Sequence, residues 1–83
     1  MTKEEFYFAL VKETKRRYGY RVVDSQIWYD NLTGIFDGFY GYMIGVRNHK
    51  VCYFQAWEEL DGHVTIIPDI EKTKQEVQNV HVY

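Results

Sequence analysis

One cysteine, one proline, no long apolar run and almost no net charge: these shortages bound the chain before any motif does. Cys52 alone cannot close a disulfide within the chain. A structural zinc site uses several Cys or His at short spacing, and His49, His63 and His81 are scattered, so no metal or other cofactor is expected. The longest uncharged apolar stretch, residues 39–46, is far below the roughly 20 residues that span a bilayer, and no membrane contact is expected. A formal charge of −2 gives no general attraction to nucleic acid or anionic lipid. Thr2-Lys3-Glu4-Glu5 is charged and helical in character, unlike a signal peptide, and with a single cysteine this points to a reducing, cytoplasmic setting. In that setting the sequon Asn31-Leu32-Thr33 carries no weight. No Ser-His-Asp arrangement can be assembled, and no enzyme is expected.

What is present is an ordinary globule's balance of 46% hydrophobic and 27% charged residues, which excludes a disordered chain. Eighty-three residues make one domain, 1–83. A chain of this size buries only about 60% of the surface that its unfolded form exposes, so stability has to come from very good packing or from association. Eight tyrosines, five phenylalanines and two tryptophans are a high aromatic content. Tyrosine joins apolar area to a polar tip and is enriched where surfaces meet.

Thr2 and Glu5 form a capping box, and Phe6, Ala9, Leu10 and Val11 then fall along one side of a helix. Lys15, Arg16 and Arg17 lie in its last turn, where the helix dipole favours cations, and Gly19 ends it. A helix over 3–18 follows. Residues 20–36 admit two readings. Asp24 or Ser25 caps a short helix, 24–33, closed by Gly34; in the rival, a strand runs through Ile27-Trp28-Tyr29 to a turn at Asp30-Asn31. The helix is the better punctuated. Strands over 38–46 and 51–59 flank Arg47-Asn48-His49-Lys50, and Asp61-Gly62 signals a tight turn into a third strand, 63–67, stopped by Pro68. Pro68-Asp69 opens a last, largely polar helix near 69–79, and the tail Val80-His81-Val82-Tyr83 adds a short strand or docks loosely. The expected fold class is α+β: a three-stranded antiparallel meander with N- and C-terminal helices packed mainly on one face, in two layers, and a short extra helix at 24–33.

The first hairpin is apolar or aromatic on both faces. With Val46 opposite Val51, one face carries Tyr40, Tyr42, Ile44, Tyr53, Gln55 and Trp57; the other carries Phe39, Gly41, Met43, Gly45, Cys52, Phe54 and Ala56. A two-residue turn at Asp61-Gly62 would add Val64 and Ile66 to the tyrosine face, and Thr65 and Ile67 to the other. Small residues on the Met43–Phe54 face favour close approach of helix 3–18. The tyrosine face is then roofed by the 22–35 segment through Trp28 or left partly open for a partner.

Candidate sites stand against plainer roles. The glycines of residues 34–41 run into a strand, whereas a dinucleotide fingerprint needs strand, glycine turn and then helix. Lys12, Lys15, Arg16, Arg17, Tyr20 and Arg21, with Tyr18 among them, combine phosphate-seeking cations with rings that can stack on bases; the same cations serve a helix C-terminus. The order helix, three strands, helix resembles double-stranded-RNA-binding domains in topology alone. That family has a lysine-rich start to its second helix, where Asp69-Ile70-Glu71 stand here, and a contacting strand loop, where Arg47-Asn48-His49-Lys50 stand. Glu58, Glu59, Asp61 and Asp69 with His63 form the one acid–base group, at a hairpin end where such side chains usually face water. Cys52 lies mid-strand among apolar residues, as a buried inert thiol does.

The expectation is a small non-catalytic binding protein, such as an adaptor, inhibitor or regulator, of the kind common among bacterial and phage accessory proteins. Tyr40, Tyr42, Tyr53, Gln55 and Trp57 would dock another protein or a second copy in a homodimer. A nucleic-acid-binding domain using the Lys12–Arg21 cluster is the alternative.

Overall fold

A computed structural model describes residues 1–30 and 38–81; for Asp30 and for residues 77–81 it describes the backbone alone. The fold is α+β, with two helices and one four-stranded antiparallel sheet. The helices are α1 (Lys3–Tyr18) and α2 (Ile70–His81), and the strands are β1 (Arg21–Asp30), β2 (Gly38–Arg47), β3 (Lys50–Glu58) and β4 (Val64–Pro68). The strands lie in the order β1-β2-β3-β4, each antiparallel to its neighbour.

Helix α1 forms as its sequence dictates. The Glu5 N–H donates to Thr2 Oγ1 at 3.1 Å, the Thr2 N–H donates to Glu5 Oε1 at 3.0 Å, and Gly19 closes the helix. Its inward stripe, Phe6, Leu10 and Thr14, is buried. That stripe meets Met43, Cys52, Phe54, Ala56 and Ile66 on the sheet, and these residues are the core. Tyr18 and Tyr20 close its end, with ring centroids 5.2 and 5.3 Å from that of Phe54, and the Tyr18 hydroxyl donates to Ile66 O at 2.8 Å. The glycines of this face make room for groups other than the helix. A Cβ on Gly45 would sit 2.9 Å from Tyr20 Cβ, and one on Gly41 would collide with the Gln26 carbonyl of β1.

Four elements depart from the sequence reading. Residues 24–30 are strand, not the first part of a short helix; residues 31–33 of that helix lie outside the described residues. The sheet therefore has four strands instead of three. β1 pairs with β2 from Arg21 opposite Val46 to Asp30 opposite Gly38, with a bulge at Val23. Tertiary pairing overrides the local punctuation here, since strand preference is largely a matter of what a neighbouring strand offers.

The β3–β4 connection is a hairpin one residue longer than expected. The Gly62 N–H donates to Glu59 O at 3.0 Å, and the Glu59 N–H donates to His63 O at 2.7 Å, which leaves a three-residue loop, Leu60-Asp61-Gly62. Only Gly62 has positive φ, at 90°, while the Asp61 carboxylate accepts from the His63 N–H. A two-residue turn of the expected kind needs both central residues there. The extra residue exchanges the faces of β4: Val64 and Ile66 point to the core, and Thr65 and Ile67 to the tyrosine side.

α2 does not lie on the face that α1 covers. It continues from the end of β4 along the edge of β3. The Asp69 N–H donates to Tyr53 O at 2.7 Å, and the Tyr53 N–H donates to Thr73 Oγ1 at 2.8 Å, so its first turn satisfies the β3 backbone beyond Pro68. Asp69 caps it, accepting from the Lys72 N–H at 3.1 Å. Val80 and His81 continue this helix instead of adding a strand; Val82 and Tyr83 lie outside the described residues. No described helix is long and apolar enough to cross a membrane.

Candidate protein-binding face

The sheet's two faces differ sharply. Opposite the core, β2 and β3 present Tyr40 beside Trp57, Tyr42 beside Gln55, Ile44 beside Tyr53 and Val46 beside Val51. β1 extends this row with Trp28 beside Tyr40 and Gln26 beside Tyr42, and β4 with Thr65 beside Trp57. None of these residues is buried: Tyr40, Tyr42, Tyr53 and Trp57 are half-buried, Gln55 is exposed, and Trp28 is 37% exposed. No described helix lies across them. The face is solvated because the packing stripe of α1 is spent on the other side.

These rings wall a groove of about 490 Å³. On one side Trp28 stands edge-on to Tyr40, with ring centroids 4.5 Å apart, and to Tyr42 at 6.2 Å. The far wall comes from α2. Lys72 Nζ lies 3.9 Å from the Tyr42 centroid and 5.2 Å from that of Tyr53, close enough for cation–π attraction. Asp69 Oδ2 accepts from Gln55 Nε2 at 2.9 Å and fixes that amide. Glu59 Oε1 accepts from both Trp57 Nε1 and Thr65 Oγ1 at 2.7 Å, which locks the indole in place. Burial, then the Glu76 carboxylate, pushes the Tyr53 hydroxyl above the ordinary tyrosine range. The groove is a preset aromatic surface with hydroxyl and amide groups at fixed points. It can grip planar or apolar groups.

Tyr40, Tyr42, Tyr53, Gln55 and Trp57, picked from alternation along the hairpin, all line this groove. Sequence reasoning missed Trp28, cast as part of a roof, and also Asp69 and Lys72. The Gln26/Trp28 alternation against Ile27/Tyr29 could have placed Trp28. No local pattern announces that α2 turns back along β3.

The chain matches no protein-family model, no curated protein and no solved structure. Its function therefore has to be argued from the groove and from what the other candidate groups do.

The basic cluster is divided. Arg16 Nη2 and Arg17 Nε both reach Glu13 Oε2, at 2.6 and 3.0 Å, and the Arg16 contact holds the Glu13 carboxyl below the ordinary glutamate range. Lys12 and Lys15 are exposed on α1. Tyr20 packs on Phe54, with the Arg47 guanidinium 4.9 Å from its ring centre, and Arg21 sits opposite Val46 on the far face of the sheet from α1. The acid–base candidates are likewise spoken for. Glu58 accepts from the Phe39 N–H at 3.2 Å and pairs with the terminal amine at 3.4 Å. His63 Nδ1 pairs instead with Asp61 at 2.8 Å on an exposed loop, and that contact lowers the Asp61 carboxyl below its usual range. Cys52 is buried, with Thr73 Oγ1 3.9 Å from its sulfur. Among the described residues, no three His, Cys, Asp or Glu side chains gather as a metal site would require.

Proposed function

We propose that the chain is a small non-catalytic protein-binding module, acting inside the cell as an adaptor, inhibitor or regulator that works by occupying a surface. Its partner is an extended protein segment bearing aromatic or apolar side chains, which lie in the groove between Trp28 and α2, against Tyr42, Tyr53 and Trp57. The observation that supports this most is the unburied aromatic row opposite a core that is already complete under α1. Exposed aromatic patches of this kind usually mark interaction sites, and Tyr and Trp dominate binding hot spots. Nucleic-acid binding draws less support, because Glu13 engages Arg16 and Arg17 and the sheet separates Arg21 from α1.

Selection of a displayed random-peptide library on the purified chain tests this. Enriched sequences should carry aromatic or large apolar residues. Replacing Trp28 and Tyr42 with alanine should weaken their binding about 100-fold, from two hot spots of about 1.4 kcal/mol or more each, while the circular dichroism spectrum is kept. Failure to enrich any sequence, or binding indifferent to both substitutions, would overturn the reading.

A further inference from the structure

We propose that β1 pairs with the β1 of a second copy, antiparallel about a two-fold axis at Gln26, so that two sheets join into one of eight strands. The inference is independent of the groove reading, because it uses the sheet's edge and not its face.

The fold treats its two edges differently. The β4 edge is five residues long and ends in Pro68, and α2 takes up the β3 backbone beyond it. The β1 edge is ten residues long, and no described strand pairs with its outer side. A long edge with no described strand beyond it is a template for another strand. Apolar surface gathers around it. Phe8 is 69% exposed, Tyr29 53% and Val23 47%. Tyr7 and Phe8 of α1 line a second cleft with Ser25, Gln26, Ile27 and Trp28 of β1, so a strand added to β1 would lie beside them.

The register points to a second copy as that strand. Paired residues must share a face, which restricts the axis to a residue of the regular stretch 24–30. With the axis at Gln26, Ser25 meets Ile27, Asp24 meets Trp28 and, past the bulge at Val23, Val22 meets Tyr29 and Arg21 meets Asp30. The β1–β2 pairing fixes the face of each residue, and every one of these pairs matches. The bulge would ordinarily blunt an edge; here it brings Val22 and Arg21 back into phase with Tyr29 and Asp30. This axis gives the longest overlap and puts an Arg–Asp pair at each end. An axis one residue further, at Ile27, would set Asp24 against Asp30, and like charges directly opposite are destabilising. A two-fold normal to the sheet leaves both aromatic grooves on one side and both α1 helices on the other.

Sedimentation of the full chain tests this. The wild type should run at twice its 10.0 kDa mass at micromolar concentration. Gln26→Lys and Gln26→Glu each place like charges at the axis on an exposed position, and each should weaken the dimer about tenfold or more with an unchanged circular dichroism spectrum. Mixing the two variants should restore it as a heterodimer. A wild type that stays monomeric at millimolar concentration, a dimer indifferent to both substitutions, or variants that fail to recover on mixing would each overturn the proposal.

Discussion

Thr14 is the one polar side chain in the packed layer between α1 and the sheet, among the described residues, and its hydroxyl finds only the Met43 sulfur, at 3.7 Å. Sulfur is a weak acceptor, so most of the hydroxyl's desolvation is uncompensated. Thr14→Val should therefore stabilise the fold by about 1 kcal/mol. That is a rise in melting temperature of roughly 4–8 °C for a domain of this size, measured by thermal unfolding. A fall would mean that the hydroxyl has a stronger partner than sulfur. At this scale much could be read in advance. The capping box of Thr2 and Glu5 depends on residues three apart, and alternation alone put Tyr40, Tyr42, Tyr53, Gln55 and Trp57 on one face. Lys72 could not be read so, because its ring contacts depend on where α2 is carried by the chain.

Among the elements, the β2–β3 turn carries an avoidable strain. Asn48 and His49 both have positive φ, at 52° and 66°. Asparagine tolerates that region and histidine tolerates it less well; glycine is the usual choice at the second position of such a turn. His49→Gly should relieve about 1–2 kcal/mol of strain. Glycine's extra freedom in the unfolded chain offsets about 0.5–1 kcal/mol of this, leaving a modest net gain. Denaturant unfolding should show a higher midpoint at an unchanged slope, and a lower midpoint would contradict the turn assignment. The Val46–Val51 register around this turn was legible, because a four-residue break between two apolar runs admits few pairings. β1 stayed between two readings for the opposite reason, although the rival strand through Ile27-Trp28-Tyr29 lies within it. Asp24 and Gly34 mimic helix punctuation, and the bulge at Val23 breaks the alternation that would have betrayed a strand. What holds β1 in place is distant in sequence: Gly41, whose missing Cβ admits the Gln26 carbonyl. The length of the β3–β4 loop was illegible too, since Asp61-Gly62 suits both a two-residue turn and the end of a three-residue loop.

For the molecule as a whole, an amphipathic helix and a sheet greasy on both sides leave one face over. The core closes with α1 against Met43, Phe54, Ala56 and Ile66, and α2 goes to an edge. That division follows from chain length: one long helix can cover one face of a small sheet, and the second helix here is too polar to cover the other. Both tryptophans of the chain, Trp28 and Trp57, lie on the side that α1 does not cover. Acrylamide quenching of tryptophan emission therefore reads the state of that face with no label or mutation. Both indoles of the folded chain should be quenched readily, and a library-selected groove peptide should protect them. Emission that resists acrylamide in the folded chain without peptide, to the degree of fully enclosed indoles, would contradict an open aromatic docking face.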